Sequence, residues 1–113
     1  MRIRRGFLYL ADLSPRRGSE AGRVRPVLVI QTDLLNEAGH SSTWVLPCTT
    51  RLSGTNLLRV SLLRGIAGNR KECEVMIDQS RAIDNARFVR ILRPLPRSLL
   101  REVEEKVRRL GEL

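Results

Sequence analysis

Apolar positions fall into short runs whose period changes along the chain. Residues 27–31 (Val, Leu, Val, Ile, Gln) show no polar alternation before Gln31. That pattern predicts a strand buried on both faces. Residues 57–63 alternate instead, with Leu58, Val60 and Leu62 on one side and Arg59 and Ser61 on the other, as in a half-buried strand. Further strands are predicted at 7–13, 44–49, 74–79 and 88–92, with a short extended piece at 80–84. Pro26 can open the second strand, because a first position can spare its N–H. Pro47 places the third at an edge or a bulge. Gly18 and Gly22 mark a loop over 16–22. Residues 32–42 are polar, with a helical turn possible at Leu34, Leu35 and Asn36. Gly65, Gly68 and Asn69 mark a loop over 64–71.

After Pro94 and Pro96 the period becomes helical. Ser98 can cap a helix whose apolar positions are Leu99, Leu100, Val103, Val107 and Leu110. Glu102 and Lys106 form an i,i+4 pair in the favoured order, and Gly111 ends the helix. There is no internal repeat. Short strands followed by one terminal helix predict a small α+β fold, an antiparallel barrel with a C-terminal helix, as a single domain over residues 1–113.

Composition sharpens this picture at three points. Aromatic residues are few, so Leu, Val and Ile must build the core. A 113-residue chain buries only a moderate share of its surface, which favours help from a partner chain. No apolar run approaches the roughly 18 residues that span a membrane, and Asp12 with Ser14 and Pro15 breaks any leader-like segment; a cytoplasmic protein is expected. Cys48 and Cys73 fit no metal spacing and read as buried thiols.

The net charge of +9 is uneven. Residues 1–25 hold seven arginines and two acids, whereas residues 101–113 balance four against four. All but two of the basic residues are arginine, which binds phosphates bidentately and stacks on bases, so a polyanionic partner is favoured.

Zinc motifs, phosphate loops and nucleophile elbows are absent, and His40 is the sole histidine, in a polar loop. What remains is polar groups at strand ends: Glu20 and Arg25 before the second strand, Thr49 and Thr50 after the third, and Asp78, Gln79 and Arg81 around the fifth. Fixed cations with hydroxyl donors suit phosphoryl transfer, where charge builds on phosphate oxygens.

Those residues carry a resemblance. Gly18, Ser19 and Glu20, then Arg25, Pro26, Val27, Leu28 and Val29, resemble the signature of the MazF/PemK/Kid family of toxin endoribonucleases. Pro47, Cys48, Thr49 and Thr50 match that family's strand end, and residues 78–84 are similar to its [DE]QxRTID segment. Arg5, Gly6, Tyr9, Asp12, Leu13 and Pro15 also agree. The resemblance implies an SH3-like (CcdB/Kid-like) barrel with a C-terminal helix and a homodimer. It implies metal-independent cutting of single-stranded RNA with no cofactor. It also implies a cognate antitoxin whose acidic C-terminal segment occupies the RNA groove, and DNA binding together with that antitoxin.

By position, Arg25 matches the family's catalytic arginine and Thr49 the threonine that acts with it. The implied reaction is attack of a ribose 2′-OH, leaving a 2′,3′-cyclic phosphate and a 5′-OH. Arginine is a poor proton acceptor, so the base falls to Glu20 or to Asp78, an acidic position some members use. Gly18, Ser19, Thr50, Asp78, Gln79 and Arg81 are expected to contact substrate, with specificity in the loops at 16–24 and 51–57. Ser19 and Met76 stand where some members carry histidine and arginine, so a mechanism built on those side chains does not transfer. Two other classes share the features: a CcdB-like toxin that binds gyrase, and a barrel that binds nucleic acid without cutting it.

Overall fold

The uninterrupted run at residues 27–30 lies mid-sheet, where both of its faces are buried. The computed structural model describes residues 1–14, 23–54 and 56–113. Among the described residues the order is β1 (Phe7–Asp12), β2 (Val24–Val29), α1 (Asp33–Glu37), β3 (Ser42–Thr49), β4 (Arg59–Leu62), β5 (Cys73–Met76), β6 (Arg81–Asp84), β7 (Phe88–Pro94) and α2 (Arg97–Gly111). The strands form one antiparallel sheet ordered β4-β5-β3-β2-β1-β7, with β6 pairing to β3 alongside β5. A mixed α+β fold with a C-terminal helix is therefore present as expected. Strand pairing among the described residues does not run from β7 back to β4.

Alternation splits the core in two. Leu8, Leu28, Leu46, Val60, Leu62 and Val75 face α2, which packs Leu99, Leu100, Val103 and Val107 against them. Tyr9, Ala11, Val27, Val29, Val45 and Ile83 form a second cluster with Phe7 and Phe88. Cys48 and Cys73 are buried free thiols, as read from the sequence.

The strand boundaries and the place of Pro47 differ from the sequence reading. The second strand starts at Val24, so Pro26 lies inside it and Arg25 is a strand residue. Pro26 is tolerated because only β1 pairs there, through Leu10, and the β3 ladder begins at Val27. Pro47 lies in a mid-sheet strand and not at an edge. It falls where the far side of β3 passes from β6, which ends opposite Val45, to β5, which begins opposite Cys48. For the same reason the strand predicted over 74–79 stops at Met76, and Ile77–Gln79 is a 3-10 turn that carries the chain from β5 across to β6.

At α2 the N-cap is Pro96 and not Ser98, which falls in the first turn. The left-handed residue is Glu112, one position beyond Gly111. Leu110, read as part of the apolar stripe, stays exposed in the last turn.

Candidate active site

Strand parity decides which side chains meet. Arg25 has the parity of Val27 and Val29, and Thr49 that of Val45, so both lie on the sheet face turned away from α2. The β2–β3 register runs from Val29↔Val45 to Val27↔Pro47, and Arg25 and Thr49 each lie two residues beyond that last pair, at the same end of the two strands. On either side, Ala11 pairs with Arg25, Glu74 with Thr49, and Ser61 with Glu74. Arg59 and Met76 pair one step along on the same face. A face that is apolar under Tyr9 and Val27 thus becomes polar toward β4 and β5.

Each member of this group is fixed locally. Arg25 is half-buried at the start of β2. Thr49 is buried, and its Oγ1 accepts the Arg51 N–H at 3.1 Å, which leaves the hydroxyl proton as a donor. Glu74 is only 3% exposed. Its Oε1 accepts the Ser53 N–H at 3.0 Å and the Ser53 Oγ–H at 3.1 Å, and its Oε2 accepts the Gly54 N–H at 3.0 Å. Burial pushes this carboxyl up, but the Ser53 and Gly54 amides, the Ser53 hydroxyl and the nearby Arg59 charge outweigh it, so it lies below the usual glutamate range. Arg59 Nη1 is buried with no hydrogen-bond partner.

Asp78 and Gln79 sit exposed on the 3-10 turn that bridges β5 and β6, beside β3. Arg81 is exposed at the first position of β6, opposite Val45 and on the same face as Arg25 and Thr49. Gly18, Ser19 and Glu20 lie outside the described residues. β1 ends and β2 begins at the Arg25 end of the sheet. There Leu13 N–H donates to Arg23 O at 3.0 Å, and Arg87 Nη1 donates to Asp12 O and Ser14 O.

Thr50 is not with Thr49. It turns to the other face and lines a cavity of about 750 Å³. The floor there includes Leu10, Val24, Pro26 and Leu92, and the wall carries Arg64, Arg70, Lys71 and Arg90. Buried Asn69 holds the 64–71 loop that forms this wall. Its Oδ1 accepts the Ala67 N–H, and its Nδ2 donates to Leu63 O and Lys71 O. His40 lies just before β3, at the opposite end from Thr49, and β3 itself is about 23 Å long. Among the described residues no three His, Cys, Asp or Glu side chains gather as a metal site.

Sequence reasoning missed Glu74 and Arg59. A signal for Glu74 was present, since it is a lone acid between Cys73 and Val75 in a buried strand. Its partners lie 20 and 21 positions away, beyond the reach of any local pattern.

Comparison with known proteins bears on the family and the fold. Residues 4–111 match the family described as PemK-like, MazF-like toxin of type II toxin-antitoxin system. The chain is 37% identical over 106 residues to endoribonuclease MazF of Staphylococcus epidermidis, covering 90% of this chain and 85% of that protein. A MazE–MazF complex from Deinococcus radiodurans aligns with a TM-score of 0.84 at 25% identity, covering all of this chain and 98% of that one. MazF alone from the same organism aligns at 0.77 with 26% identity, over 96% of each chain. The chain therefore belongs to the PemK-like, MazF-like toxins of type II toxin–antitoxin systems, as a homologue of the endoribonuclease MazF.

Proposed function

We propose that this toxin cleaves single-stranded RNA without a metal, at short sequence motifs, by attack of a ribose 2′-OH on the adjacent phosphate. The observation that carries the reading is that Arg25 and Thr49 lie on the same sheet face of neighbouring strands, with Arg81 on that face too. Arg25 neutralises charge on the non-bridging oxygens, and the Thr49 hydroxyl donates to the same group. The products are a 2′,3′-cyclic phosphate and a 5′-OH. Glu74 is unsuited as the base, because its oxygens already accept three donors that keep it ionised. That leaves Glu20 or Asp78. Gly18, Ser19, Thr50, Gln79 and Arg81 contact the strand, and the cations around the 750 Å³ cavity attract its phosphates.

The same reading makes the protein a cytoplasmic homodimer, silenced by an antitoxin whose acidic segment competes for the groove. No helix among the described residues is long and apolar enough to cross a membrane.

The test is incubation of pure protein with a long RNA in EDTA, with the ends mapped. Discrete cuts bearing cyclic phosphate are expected. Arg25→Ala and Thr49→Ala should each lower kcat by about 100- to 1,000-fold, the usual loss for one donor to a developing oxyanion. Intact RNA alongside growth arrest would move the protein to a gyrase-binding class. Tight binding with neither effect would leave a non-catalytic barrel.

A further inference from the structure

We propose that Glu74 is a positioning residue, which clamps the β3–β4 connection against the Arg25–Thr49 face and so sets how sharply the enzyme discriminates among RNA sites. The inference rests on the ribonuclease reading above. It starts from an energetic oddity. A carboxylate taken out of water costs several kcal/mol unless its lone pairs are satisfied. Leu62, Cys73 and Val75 already supply the packing of β4 and β5, so strand pairing gains nothing from an acid at position 74. Among the described residues no cation approaches Glu74 within 4.0 Å.

All three donors come from one place, the Ser53–Gly54 step of the β3–β4 connection. Two consecutive backbone N–H groups and a hydroxyl closing on one carboxylate form an anion nest, with the protein supplying its own anion. Gly54 adopts φ +90°, a left-handed conformation that orients its N–H within this turn. The turn begins at Thr49, whose Oγ1 holds the Arg51 amide, and Thr49 is the direct cross-strand neighbour of Glu74. One acid thus ties the candidate catalytic threonine to the loop at 51–57 where specificity is expected. Loosening it leaves Arg25 in place and frees the loop.

The substitution Glu74→Gln tests this, because it keeps the size and turns an acceptor into a donor facing an N–H. Two measurements are made. Amide hydrogen exchange at Ser53 and Gly54 reports the clamp without RNA. The ratio of kcat/KM between the preferred RNA site and the next-best site reports positioning. Expected are loss of protection at both amides and a fall of the ratio by about tenfold, the scale of one charge-assisted hydrogen bond. KM for the preferred site should rise more than kcat falls. Should Glu74→Gln fail to fold, Ser53→Ala, which removes one donor only, carries the same test with a fall of about threefold.

Protection retained in Glu74→Gln overturns the clamp. Protection lost with an unchanged ratio overturns the positioning role and leaves Glu74 structural. A wild-type protein that cuts no RNA overturns the ribonuclease reading itself, and the exchange data then still report the clamp.

Discussion

A single side chain changes stability with pH in a direction its surroundings dictate. Glu74 has an ordinary value of 4.5 and is held below it in the folded protein by the Ser53 and Gly54 donors. The unfolded chain therefore takes up the proton first as pH falls. Its contribution is complete above the unfolded value and drains away as pH drops through the folded one. Asp12 and Asp33 are lowered in the same direction, by the Ser14 and Arg5 amides, and set a common acid slope. Urea unfolding from pH 7 down to pH 3 should thus show wild type losing stability below about pH 4.5 more steeply than Glu74→Gln. Equal slopes would mean that position 74 carries no net charge stabilisation. Such a residue is barely legible in the sequence, because its partners are remote.

At the scale of elements, local pattern and long-range pairing decide different things. Alternation at Leu58, Arg59, Val60, Ser61 and Leu62 placed the faces of β4 correctly, since period 2 is intrinsic to an extended backbone. The apolar run of β2 foretold two buried faces, and the structure splits it between both clusters. The end of β5 was illegible: Ile77, Asp78 and Gln79 continue its composition, but the chain must leave the ladder there to reach the other half of β3.

The end of α2 gives a prediction of its own. Glu112 sits at φ 55° while its N–H and that of Leu113 close on Arg109 O and Arg108 O. A β-carbon is strained there, and a negative charge opposes the helix dipole. Glu112→Gly should stabilise the protein by about 0.5 kcal/mol, read as a higher urea midpoint at unchanged m. A lower midpoint would show that unfolded-chain entropy dominates at this cap.

For the whole molecule, charge and surface act together. The chain carries +9, and Arg64, Arg70, Lys71 and Arg90 gather around one cavity. If each neutralises one phosphate, log K for a single strand should fall against log salt with slope about −3, weakening binding roughly fiftyfold between 50 and 200 mM. Replacing Arg64 and Arg90 by alanine should flatten the slope by about 1.4. An unchanged slope would direct the RNA away from this wall. The titration is run on Arg25→Ala, whose expected slower cleavage keeps the substrate intact.

By itself the sequence determined the periodic elements, the basic excess, the pairing of Arg25 with Thr49 as candidates, and the family that their motifs resemble. These follow from local backbone geometry and from spacing, both written along the chain. The tertiary structure alone decided that Thr49 and Thr50, adjacent in sequence, serve opposite faces. It also decided that Asp78 and Gln79 lie on a turn between two strands, and that Ser53 and Gly54 close on a buried Glu74. The reason is physical: a strand sends neighbouring residues to opposite sides, and which side carries chemistry depends on what the rest of the sheet and α2 already cover.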